Sequence, residues 1–284
     1  MKQNTEPAPK RYTRRGIWGV VITALLLTCS VALLVSPSLR DALGIPVPSM
    51  LSGRTRTAEF PINENPYGPG DFAYDGDYLT CLAGPAKLGV DVSSHQRDVD
   101  WEQVAGAGME FAMIRIGYRG HGAEGLVHLD DYAAQNLQGA RQAGLQVGAY
   151  FFSQAVSVPE AAAEAALCIE FLQDHELDLP VVFDWEYVSE EARSASVDPD
   201  TLLMCAQTFC TALEEAGYQP MIYFNPHVAK DYLDVSRLTR YPFWLAQYSD
   251  QLDYGRAVEM WQYTNKGNVP GISGDADINL WFTD

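Results

Sequence analysis

The sequence predicts an α/β fold, a barrel of eight strands lying behind an apolar N-terminal segment. Three observations carry that prediction. From residue 87 onward, short apolar runs alternate with amphipathic runs, the rhythm of β-α units and hence of a parallel sheet. Eight apolar runs are present, enough to close the sheet, and the last three lie too near one another for crossover helices. Residues 87–284 number 198, at or below the ~200–250 of a complete eight-helix barrel, and the missing helices account for the shortfall. An open doubly wound sheet is the competing architecture. A composition of 47% hydrophobic and 20% charged residues excludes a disordered chain or a small disulfide-stapled scaffold, because it can bury ample apolar surface.

In chain order, residues 1–16 form a basic cytoplasmic tail containing Lys2, Lys10, Arg11, Arg14 and Arg15. Residues 17–35 (IWGVVITALLLTCSVALLV) carry no charge and, at ~1.5 Å per residue, reach ~28 Å, close to the ~30 Å hydrocarbon core of a bilayer. The positive charges before them place everything after Val35 outside the cell. A transmembrane signal anchor is therefore expected, giving a single-pass protein of the cell membrane. The alternative is secretion after cleavage of a signal peptide, whose apolar region usually runs only ~7–15 residues. Residues 36–86, with seven prolines, six glycines and no sustained period, read as an extracytoplasmic stalk or linker, or as an ordered N-terminal wrap, and not as a separate domain. Whether the aromatic GPGDFAYDGDY stretch packs on the following domain is left open by the sequence.

Within residues 87–284, LGVDVSS is a first strand, followed by a helix around residues 99–107. FAMIRIGY is a second strand, and DYAAQNLQGARQAG a helix with apolar positions three and four apart. VGAYFFSQA is a third strand, then a helix over PEAAAEAALCIEFLQDH with Pro159 near its start, where its fixed φ fits. LPVVFDWEY is a fourth strand; Asp198 caps the next helix, TLLMCAQTFCTALEEAG, and Gly217 ends it. PMIYFN is a fifth strand with at most a short helix after it, and FWLAQY, VEMWQYT and ADINLWF complete the eight.

Charge narrows the partners. Eight of the basic residues lie in residues 1–56, which leaves eleven basic against thirty-five acidic side chains in 57–284, a net of −24. Such a surface repels phosphate backbones, so no nucleic-acid partner is expected. The five histidines show no metal-binding spacing, and neither a metal nor a cofactor is implied. Cys81, Cys168, Cys205 and Cys210 suit either disulfides or buried free thiols. GHGAEG (residues 120–125) matches G-x-G-x-x-G, but no helix starts against it to receive a pyrophosphate, so it reads as a substrate-side loop.

The acids at the strand ends point to chemistry. Asp91 ends the first strand, Asp184 and Glu186 end the fourth, and Asp275 and Asp277 begin the last. In a barrel of this type the reactive groups stand at the C-terminal strand ends. Residues two apart on a strand leave the same face, with α-carbons roughly 6.6 Å apart. Both carboxylates of VVFDWE then share a partly desolvated mouth, where burial and mutual repulsion keep one of them protonated. One acid to protonate a leaving oxygen and a second carboxylate to stabilise positive charge is the equipment of glycosidic bond cleavage. Aromatics on the strands suit the C–H faces of sugar rings; Tyr150, Tyr223, Tyr248 and Trp261, with Trp185 between the two acids, are the candidates for substrate binding.

GVDVSSHQ, VVFDWE, MIYFN, FWLAQY and the closing WQYT…GISGDADIN together resemble glycoside hydrolase family 25, the lysozyme-type muramidases of bacterial and phage origin, over essentially all of residues 87–284. The resemblance implies a TIM-like (β/α)5β3 barrel that hydrolyses the β-1,4 bond between N-acetylmuramic acid and N-acetylglucosamine in peptidoglycan. By the same resemblance Glu186 matches the proton donor, and Asp184 the carboxylate that stabilises the transition state or orients the substrate N-acetyl group. Asp91 matches the acid at the cleft floor, and Gly271, Gly274 and Asp277 match the closing G-x-x-G-x-x-D, favouring Asp277 over Asp275. Peptidoglycan glycan strands are the expected partner, with the protein acting as a monomer. A chitinase-like hydrolase and a non-catalytic wall-glycan binder are the alternatives.

Overall fold

The computed structural model describes residues 63–283. The basic tail, the apolar run at 17–35 and Cys29 lie outside the described residues; among the described residues, no helix is long and apolar enough to cross a membrane.

Eight strands close into a ring: β3 (Ala86–Val92), β4 (Phe111–Arg119), β6 (Gln146–Ser153), β7 (Val181–Trp185), β8 (Pro220–Phe224), β9 (Phe243–Ala246), β10 (Met260–Gly267) and β11 (Ala276–Phe282). The first seven run parallel to one another. β11 departs from the all-parallel expectation, running antiparallel to both β10 and β3 to close the ring. β5 (Val127–Leu129), a strand the sequence did not suggest, pairs with the last residues of β4 and makes the GHGAEG segment a hairpin loop.

Helices α1 (Trp101–Gly106), α2 (Ala133–Gln142), α3 (Val158–Leu172), α4 (Pro199–Glu215) and α5 (Pro226–Asp231) follow β3, β5, β6, β7 and β8. Their ends follow the local chemistry. Asp198 accepts from Thr201 N at the start of α4, Pro199 occupies its first turn, and Gly217 at φ 90° lies just past its end. No helix links β9 to β10 or β10 to β11 among the described residues.

The two-residue period of the strands sorts side chains into two cores. Val181, Phe183 and Trp185 face outward into the layer between barrel and helices, while Val182 faces a smaller interior cluster with Phe111, Met113, Met221, Trp244 and Met260. Gly89 lets the interior fill: a side chain there would collide with the Phe111 ring.

The outer face of β10 and β11, which no helix covers, is covered by residues 63–82. β1 (Phe72–Asp75) and β2 (Tyr78–Cys81) form a two-residue hairpin turning at Gly76, φ 65°. Phe72 packs edge-on against Trp261 at 4.9 Å, Tyr67 lies 4.6 Å from Phe282, and Leu79 N donates to Tyr263 Oη. The described part of residues 36–86 is thus a strap integral to the barrel, the ordered wrap that the sequence had left open beside a stalk. Cys81, Cys168, Cys205 and Cys210 are free thiols. Burial pushes Cys168 well up and Cys205 to about 12, which keeps both protonated and unreactive.

Candidate active site

The strand ends deliver an acidic cleft of about 220 Å³. Asp91 on β3, Asp184 on β7 and Glu186 one residue beyond it all face inward, because they occupy alternate positions to the outward-facing apolar residues. β11 contributes through its reversed direction: its first residues, not its last, lie at the same end of the barrel as the mouth. That places Asp277 directly opposite Asp91 in the ladder.

Amides hold the floor. Asp91 Oδ2 accepts from Gln262 Nε2 and from Asn279 Nδ2, both at 2.8 Å. Gln262 Oε1 in turn accepts from the hydroxyls of Tyr223 and Tyr248, each at 3.1 Å, and Asn279 Oδ1 accepts from Trp244 Nε1 at 2.9 Å. Both amides are therefore fixed in orientation, and three aromatics are fixed to them. Trp244 lies edge-on between Tyr223 and Tyr150, completing an aromatic wall. Opposite stands Arg115, held by Asp130 at 2.8 Å and donating to Ser94 Oγ at 3.0 Å.

Four carboxyls this close cannot all be ionised. Burial raises Glu186 to about 7, reinforced by the Asp91 charge. Burial also raises Asp277 to about 8, helped by Asp91 and by the hydrogen bond the two share. Asp91 rises less, to about 6, because its amide donors favour the anion against burial. Asp184 is pushed well up by burial and then by the Glu186 and Asp91 charges, with Arg115 opposing. Its Oδ1 is buried without a hydrogen-bond partner, and an orphaned acceptor aimed into a cleft is suited to a ligand N–H.

The model of the glycosyl hydrolases family 25 matches residues 90–272. The chain belongs to glycosyl hydrolase family 25. It is 30% identical to YegX, an uncharacterised protein of Escherichia coli K12, over 201 residues that make up 68% of each chain. It is 26% identical to lysozyme M1 of Streptomyces globisporus over 69% of each chain. Among solved structures, the autolysin LytC of Streptococcus pneumoniae, determined with a synthetic peptidoglycan ligand, superposes with a TM-score of 0.62 at 25% identity over 69% of this chain. The match spans 47% of the LytC chain. A family 25 glycosyl hydrolase of Bacillus anthracis shares the fold, with a TM-score of 0.57 and 21% identity, over 70% of this chain and 89% of that one.

Within this glycoside hydrolase barrel, Asp91, Asp184, Glu186 and Asp277 converge on one cleft with Tyr150, Tyr223 and Tyr248. Tyr248 is 56% exposed and stands at the rim. Trp185 and Trp261 do not join them, a correction to the sequence expectation. Trp185, between two inward-facing acids, faces the outer core and packs against Tyr232. Trp261 is fully buried under Phe72 and donates to Gln247 O. Arg115, Gln262, Asn279 and Trp244 were not singled out from the sequence as site residues. Each is a polar or amphipathic residue at an inward position among apolar neighbours, a signal readable only once strand facing is known.

Proposed function

We propose that the protein is an N-acetylmuramidase that hydrolyses the β-1,4 bond between N-acetylmuramic acid and N-acetylglucosamine in peptidoglycan. The observation that carries the reading is a carboxyl at the mouth, Glu186, that retains its proton to about pH 7 beside a buried carboxylate oxygen with no partner of its own. Family membership and the lysozymes among the relatives support the substrate class.

In this mechanism Glu186 gives its proton to the bridging oxygen as the bond to the anomeric carbon breaks. Asp184 Oδ1 accepts the acetamido N–H of the sugar on the muramic side and aims its carbonyl oxygen at the anomeric carbon. That oxygen closes an oxazolinium ring, whose N–H stays hydrogen-bonded to Asp184 Oδ1. Glu186, now ionised, takes a proton from water as the water opens the ring, and both groups return to their starting states. Tyr150, Tyr223 and Tyr248 offer ring faces and hydroxyls to the glycan.

The Glu186→Gln variant is expected to lose ~10²–10⁴-fold in hydrolysis while retaining glycan binding. Mass spectrometry of wild-type digests should find fragments ending in reducing N-acetylmuramic acid. Wild-type turnover by the variant, or cleavage of chitin oligomers in preference to peptidoglycan, would reject the assignment.

A further inference from the structure

Glu186 sits where the sheet no longer holds it. The ladder of β7 ends with Ser153 opposite Trp185 on one side and Asp184 opposite Tyr223 on the other, so Glu186 lies one residue past the last pair. Among the described residues, its carboxyl receives no hydrogen bond; burial and the Asp91 charge are what raise it. A proton donor must nevertheless stand within ~2.6–3.2 Å of the oxygen it serves.

What holds it is a fully buried glutamine on the neighbouring strand end. Gln154 Nε2 donates to Glu186 O at 2.8 Å and to Ser153 O at 2.9 Å, while its Oε1 accepts from Ser194 Oγ. Both amide hydrogens and the amide oxygen are therefore used. The backbone oxygen of Gln154 accepts from Arg193 Nη1 at 2.8 Å, and Arg193 forks onto Glu160 at 2.9 and 2.6 Å. Glu160 accepts from Val156 N at 2.9 Å, and Arg193 N donates to His121 O at 3.0 Å. The segments that follow β4, β6 and β7 are thus tied together at one point directly behind Glu186.

We infer that Gln154 is a positioning residue for the proton donor, fixing the Glu186 backbone beyond the sheet and so its carboxyl at the cleft rim, with Ser194 locking the amide in place. The inference rests on the reading of Glu186 as the acid. Ser153 and Trp185 close the ladder without this bond, so the fold does not need Gln154 to define β6 and β7; the placement of residue 186 does.

The test uses the full chain acting on peptidoglycan, with Gln154→Met, which keeps the shape and removes the amide, and Ser194→Ala, which leaves the amide unlocked. For Gln154→Met, kcat should fall ~10–100-fold with KM within about twofold, since a displacement of about 1 Å has that cost. The alkaline limb of its kcat–pH profile should also move down by about one unit or more, because a carboxyl released towards water regains ordinary acidity. Ser194→Ala should move both quantities in the same direction by less. A folded Gln154→Met with wild-type kcat and alkaline limb, or one whose loss is all in KM, overturns the inference. If circular dichroism shows Gln154→Met unfolded, Ser194→Ala decides by the same two readouts. Glu186→Gln, run alongside, separates the causes of failure. An inactive Glu186→Gln with normal Gln154 and Ser194 variants removes only the positioning role; an active Glu186→Gln removes the acid assignment and this role together.

Discussion

Glu186, Asp91 and Asp277 keep protons to about pH 7, 6 and 8, where an ordinary carboxyl is ionised above about 4. The folded chain binds these protons more tightly than the unfolded chain does. The stability they contribute is therefore complete below pH ~4 and is lost as the pH rises through 6 to 8. Melting temperature should accordingly decline between pH 5 and pH 8.5. Glu186→Gln or Asp277→Asn, which removes one titrating group, should gain at least ~2–4 °C over wild type at pH 8.5 and little at pH 5. A pH series by calorimetry checks this, and parallel curves for wild type and variant would contradict it. The acid pair at 184 and 186 was legible because two residues on one strand must share a face. Trp185 was misassigned against that same rule, since the residue between two inward acids must point outward. The meeting of Asp91 with Asp277 was legible through family resemblance alone; local periodicity says nothing about which residues 186 positions apart stand opposite each other.

At the scale of elements, the helices and barrel strands could be read in order because each carries its own period, cap or terminating glycine. The strap could not. Its prolines and glycines mask two strands of only four residues, too short for alternation to show, and its aromatics have meaning only against the uncovered face of β10 and β11. The strap has a measurable role. Phe72 is 4% exposed and packs on Trp261, so Phe72→Ala should destabilise the barrel by ~3–5 kcal/mol in urea unfolding. A chain beginning at Lys87 should fail to unfold cooperatively, because Trp261, Tyr263 and Phe282 would face water. Cooperative unfolding of that chain at the wild-type midpoint would show the strap to be dispensable.

For the whole molecule, the net −24 of residues 57–284 sets the conditions of encounter. Bacterial walls are commonly anionic, so added salt should raise hydrolysis as it shortens the Debye length from ~30 Å at 0.01 M towards ~10 Å at 0.1 M. A turbidity assay across that range should show activity rising; a monotonic fall from the lowest salt would mean that local attraction in the cleft outweighs the overall field.

The ring is closed by its first strand meeting its last. Asn279 and Asp277, which flank Asp91, both come from β11, so the seam of the ring is also the floor of the cleft. Whatever parts β11 from β3 takes those two neighbours away from Asp91, so closure of the barrel and integrity of the floor stand or fall together.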